Sequence, residues 1–89
     1  MTIETDPTPN PNSVKLTPSS GPVTEASMLA IKTAADAEGD ALGEALIGID
    51  GVVDVFMTPA FVTITKTNDT SWGTILPRAR ALITEHLSA

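Results

Sequence analysis

The stretch Ile49 to Lys66, IDGVVDVFMTPAFVTITK, constrains the fold of this chain more than any other. Two β-branched, apolar runs, Val52 to Met57 and Phe61 to Lys66, flank the short connection Thr58-Pro59-Ala60. Such runs separated by a few turn-type residues predict a β-hairpin. Side chains alternate along a strand, so Val62 and Ile64 are expected on one face and Thr63 and Thr65 on the other. Val53, Val55 and Met57 are expected to form the matching apolar row on the first strand. A lone hairpin is marginal in water, so other segments must cover its apolar face.

Two segments have the pattern to do so. Trp72, Ile75, Leu76, Ala79, Leu82, Ile83 and Leu87 fall on a 3.6-residue stripe that predicts a helix. Burying its large side chains is worth roughly 1.5–3 kcal/mol each. Thr67 to Thr70 reads as a turn ending in a capping residue. Pro77 leaves the Gly73 carbonyl without its helical partner and predicts an irregular first turn or a kink. Before the hairpin, Asp40 reads as an N-cap. Leu42, Ala45, Leu46 and Ile49 follow at i, i+3, i+4, i+7. Gly48 and Gly51 offer left-handed positions to close that helix.

At the front, Thr2-Ile3-Glu4 is a short β-type triplet, and Pro7 to Asn12, with proline at alternate positions, predicts a stiff extended loop. Ser13 to Thr17 alternates as a strand with Val14 and Leu16 inward, and Pro18 to Pro22 is a turn cluster. Met28 to Lys32 is read as a short strand and the stretch after it as a loop.

The chain's 89 residues suit one domain, 1–89, which on folding buries about 60–65% of its unfolded surface. It has no cysteine, hence no disulfide, thiol nucleophile or thiolate metal ligand. Its net charge of −6 argues against nucleic acid as a partner. Residues 1–54 carry nine acids and two bases, and residues 55–89 carry two acids and three bases. An acidic front half suits either solubility or the steering of a basic partner. No apolar run approaches the ~18 residues of a membrane span. The N-terminus has no leader pattern, and a soluble, cytoplasmic protein is expected.

Candidate chemistry is sparse. Asp36, Glu38 and Asp40 alternate as in a calcium loop, but Ala41 and Ile47 occupy positions that need glycine and glutamate; a solvated acidic loop explains them better. His86, near the end of the last helix, has no second histidine or cysteine to build a metal site or triad with. Asp50 and Asp54 have no activated nucleophile beside them. Gly43, Gly48 and Gly51 match no phosphate loop. Lys66, Arg78 and Arg80 are too few to track a nucleic-acid backbone. The front loop, Pro9, Asn10, Pro11 and Asn12, is either a preorganised recognition surface or a stiff connector.

Thr8-Pro9-Asn10-Pro11-Asn12-Ser13-Val14-Lys15-Leu16 resembles the "TPNPxxLKF" opening of the N-terminal domain of Nfu/NifU-like iron–sulfur scaffold proteins. Gly51 to Phe56 and Phe61 to Lys66 are similar to that family's "GVxxVf" and "FITVTK" blocks, and Trp72 and Pro77 match its final helix. The resemblance covers about Ile3 to Leu87. It departs where the family's "SPLA" is Asp40-Ala41-Leu42-Gly43, and it is poor over Val23 to Gly39. It implies an α+β fold, a small, mostly antiparallel sheet of three to four strands covered on one face by two helices, as the patterns also suggest. In full-length members the cluster is held by a C-terminal CxxC domain, so this chain is expected to hold none and to need no cofactor.

The resemblance with the absence of cysteine suggests a free-standing, non-enzymatic accessory module. It would dock a protein partner, an iron–sulfur scaffold or a target apoprotein, with no membrane or nucleic-acid role. The expected contact surface is Pro9, Asn10, Pro11 and Asn12 with Asp54, Phe56 and Phe61 of the hairpin. Phe56 should face away from Val55 and Met57, as an interface anchor or packed on the N-terminal strand. The alternatives are a general peptide-binding module that uses a sheet edge, and weak iron binding by Asp36, Glu38 and Asp40.

Overall fold

The structure, a computed structural model, describes residues 2–88. Five strands form one antiparallel sheet: β1 (Ile3–Pro7), β2 (Ser13–Pro18), β3 (Leu29–Ile31), β4 (Val52–Met57) and β5 (Val62–Lys66). Their order is β1-β2-β5-β4-β3, which puts the predicted hairpin, β4–β5, inside the sheet. The helices α1 (Ala41–Ile47) and α2 (Trp72–Ser88) cover one face. The α+β expectation holds, with five strands in place of three or four. The extra strand, β1, takes in Asp6 and Pro7: Pro7 pairs with Val14, and as an edge residue it loses no ladder bond by lacking an N–H.

Two cross-strand rows make the floor of the core. Val14, Ile64, Val55 and Ile31 stand side by side, as do Leu16, Val62, Met57 and Leu29. Ile75, Ala79 and Ile83 of α2 and Leu42 and Leu46 of α1 close over them, all buried. The expected row of Val53, Val55 and Met57 is corrected to Val52, Val55 and Met57. A bulge between Val52 and Asp54 inserts Val53 as an extra residue, which resets the alternation and leaves Val53 45% exposed.

Helix α1 starts where predicted: Asp40 Oδ1 accepts from the Gly43 N–H at 2.8 Å. Gly43 lies against β3, where an added Cβ would come within 2.6 Å of Ile31 Cδ1. Of the two closing glycines, Gly51 has φ +91° and Gly48 a right-handed φ of −79°. The cap of α2 is Ser71, one residue beyond the expected Thr70: its Oγ accepts from the Gly73 N–H at 3.1 Å, while Thr70 pairs with the Thr67 hydroxyl at 2.6 Å. Helix α2 runs unbroken through Pro77.

In the obscure Val23 to Gly39 segment, the short strand is present as β3. The expected loop after it contains a 3-10 turn, Ala34–Ala37, beginning under Asp36. The Asp36 carboxylate accepts from the backbone N–H of Lys32 at 3.0 Å and of Thr33 at 3.1 Å. Val23 is buried and hangs from the hairpin, its N–H donating to the Pro59 carbonyl at 3.0 Å.

Candidate functional site

The helices leave the other face of the sheet open. Alternation puts Lys15 of β2, Thr63 and Thr65 of β5, Asp54 and Phe56 of β4 and Lys32 beyond β3 on it, opposite the buried rows. Phe56 lies beside Phe61, with ring centroids 6.2 Å apart and planes tilted by 39°. Such a tilted pair is worth about 0.5–1.5 kcal/mol beyond its area. The Lys15 ammonium stands 4.5 Å from the centre of the Phe61 ring, a cation–π distance. Two residues from Phe56, the Asp54 carboxylate, partly buried, pairs with the exposed Lys32 Nζ at 3.2 Å. The result is a half-exposed aromatic pair framed by charges of both signs.

Asp54, Phe56 and Phe61 are thus brought onto one face, and Phe56 faces away from Val55 and Met57 as expected. The front loop is not part of that cluster. It lies where β1 turns into β2, beside the far end of β5, and is tied down from within. Asn10 Oδ1 accepts from the Asn12 N–H at 2.9 Å, and the single proton of the Thr8 hydroxyl is shared between the Asn10 and Ser13 carbonyls, 2.9 and 3.0 Å away. Asn12 bonds to Asn68 through its amide nitrogen and accepts from Lys66 Nζ at 3.2 Å. The connector role is therefore directly visible, while Pro9, Asn10 and Pro11 remain exposed. Sequence reasoning missed Lys15 and Lys32. Lys15 was legible as the outward residue between inward Val14 and Leu16, but its place over Phe61 depends on the β2–β5 register.

The acidic run does not converge. Among the described residues no three of His, Asp and Glu form a metal-ligating group. Asp36 serves the turn described above, and those backbone bonds, from Lys32 first and then Thr33, hold its carboxyl below the usual 3.8. Asp69 is likewise held low, chiefly by the Thr67 hydroxyl that donates to it at 2.6 Å. Asp40 Oδ2 accepts from the buried Thr24 hydroxyl at 2.8 Å, pinning the Val23–Ala26 loop to the start of α1. Between that loop, the Gly39–Ala41 turn and His86 of α2 lies a groove of about 640 Å³.

A helix-backed antiparallel sheet with one open, mixed-charge face defines a two-layer α+β domain. The chain belongs to the Nfu/NifU N-terminal family: the profile described as "Scaffold protein Nfu/NifU N terminal" matches residues 3–89. It is 38% identical over 90 residues to the human NFU1 iron-sulfur cluster scaffold homolog, mitochondrial, covering all of this chain and 35% of that protein. It is 37% identical over 89 residues to NifU-like protein 4, mitochondrial, of Arabidopsis thaliana, covering all of this chain and 31% of that protein. The solution structure of a NifU-like protein from Saccharomyces cerevisiae matches with a TM-score of 0.82 at 26% identity, over 98% of this chain and 78% of that one. The chain spans about a third of the length of the curated relatives it matches. Among the described residues no helix is long and apolar enough to cross a membrane.

Proposed function

We propose that residues 1–89 act as a non-enzymatic docking domain in iron–sulfur cluster assembly or delivery. The domain contacts a protein, either a CxxC-bearing scaffold domain or a target apoprotein, and leaves the cluster to thiolates outside these residues. The observation that carries this reading is the Phe56–Phe61 pair on the helix-free face, in a family whose relatives are named as cluster scaffolds. Half-exposed aromatics with a charged frame are what interface anchors look like. Asp54 and Lys15 supply the polar rim, and the exposed Pro9, Asn10 and Pro11 a secondary contact beside Asn12.

Addition of a peptide to a sheet edge is less favoured. β3 is three residues long, and β1 carries Glu4 and Asp6 and ends in Pro7. Short, charged and proline-bearing edges resist further pairing.

Calorimetry with a purified CxxC domain, cluster-loaded and kept anaerobic, tests the proposal. Threonine at positions 56 and 61 keeps strand propensity and removes both rings. The double variant Phe56→Thr/Phe61→Thr is expected to bind at least about tenfold more weakly. Unchanged affinity, for the scaffold and for target apoproteins alike, refutes it.

A further inference from the structure

The geometry points to the groove between the Val23–Ala26 loop and the start of α1 as a seat for a basic side chain, arginine or lysine, on an extended segment of a protein partner. At about 640 Å³ the groove has room for such a side chain. Val23, Ala26, Leu29 and Ala41 line it, an apolar path suited to a methylene stem that must end in a charge. Glu25 and Glu38 line it from two different segments, both exposed. Among the described residues neither has a salt-bridge partner.

Asp40 is not available in the same way. Its oxygens are taken by the Gly43 N–H and the Thr24 hydroxyl, and its charge offsets the positive start of α1. Glu25 and Glu38 are therefore the groove's carboxylates with oxygens open to a guest, and Asp40 adds its charge to their field. Every lining residue but His86 comes from the first 41 residues, within the half of the chain that carries nine acids against two bases. An acidic guest would meet that field as repulsion, and a neutral one would leave it unanswered. Met28, which lies in sequence between the lining residues Ala26 and Leu29 and is 63% exposed, offers apolar surface next to them, which favours a peptide segment over a small free amine. The inference does not rest on the docking role of the open face, since it uses none of those residues.

The test is an amide chemical-shift titration of the ¹⁵N-labelled full chain with the peptide acetyl-Gly-Ala-Arg-Ala-Lys-Ala-Gly-amide, beside a version with glutamate at both basic positions. The basic peptide is expected to shift the amides of Thr24 to Ala26, Leu29 and Gly39 to Ala41, and to bind more weakly as salt rises. Glu25→Gln/Glu38→Gln should weaken it about two- to thirtyfold, with the amide spectrum otherwise retained because both side chains are exposed. Ala41→Trp, which fills the groove and keeps its acids, should abolish it. Shifts scattered over Glu4, Asp6 and Asp50, equal binding of the acidic peptide, indifference to either variant, or no shift at low salt overturns the proposal. Phe56→Thr/Phe61→Thr should leave peptide binding intact, so failure here and failure of the open-face proposal are separately visible.

Discussion

Replacing Asp40 with alanine tests how the Val23–Ala26 loop is held to the rest of the domain. Two bonds disappear at once. The Gly43 N–H loses its cap at 2.8 Å, and the Thr24 hydroxyl, on a residue only 5% exposed, loses its acceptor at 2.8 Å. Loss of an N-cap costs about 1 kcal/mol. A hydroxyl left buried without its charged acceptor costs about 1–3 kcal/mol. Because Asp40 is itself only partly buried, water can reach part of the site, and a total of about 2–3 kcal/mol is expected. For a domain of this length that is a fall in Tm of about 8–24 °C. The assay is thermal and urea unfolding of a double-mutant cycle with Thr24→Val, which removes the hydroxyl and keeps the shape. If the bond is as drawn, Asp40→Ala costs clearly less in the valine background, with a coupling of about 1 kcal/mol or more. Additive losses would show that the Thr24–Asp40 contact contributes nothing and that α1 alone feels the substitution.

Other consequences can be checked on the same material. Gly51→Ala forces a side chain into φ +91°, its Cβ within 2.6 Å of Thr70 Oγ1 and 2.8 Å of Thr70 Cβ, and should cost about 2–4 kcal/mol by urea titration; a loss below about 0.5 kcal/mol contradicts this geometry. Ile64→Ala empties the centre of the buried rows and should cost about 2–5 kcal/mol, whereas Phe56→Ala on the open face should cost no more than about 1–2 kcal/mol; collapse of the Phe56→Ala fold places that ring in the core instead. The Asp36 carboxyl, followed by ¹³C NMR, should titrate below 3.8 because backbone N–H groups favour its charged form. Its folded pKa being depressed, its contribution is present above pH 3.8 and fades as pH falls through the folded value; a midpoint at or above 3.8 removes the turn bonds from the account.

The hairpin and α2 were legible because both have regular periods that burial enforces, period two in Val62 to Lys66 and 3.6 from Trp72 onward. The α1 cap was legible because Asp40 is followed by the stripe Leu42, Ala45, Leu46. What escaped depends on strand pairing, register and loop contacts that no local pattern carries. Strand β1 exists through five pairings to β2, and a triplet followed by Asp6-Pro7 gives no local sign of them. Val53 reads as core by alternation, but the bulge that turns it outward is a property of the β4–β5 register. Val23 looks like loop, yet it is held in the core by a bond to Pro59.

The open-face cluster shows the same division. Phe56 followed from alternation once the hairpin was placed. Lys15 over Phe61 required β2 to lie beside β5, and Lys32 beside Asp54 required β3 to pair with β4. For the front loop, proline content predicted stiffness but not its tether. The bonds from Asn12 to Lys66 and Asn68 span more than fifty residues.

The central claim is that the helix-free face of the sheet is the docking surface. Cross-saturation NMR tests it most directly, with the labelled domain in an anaerobic complex with a CxxC scaffold domain or a target apoprotein. Attenuation confined to the amides of Lys15, Asp54, Phe56, Phe61 and Thr63, with the outer faces of α1 and α2 unaffected, is the predicted result. Attenuation centred on the helices, with the Phe56–Phe61 region unchanged, would contradict it.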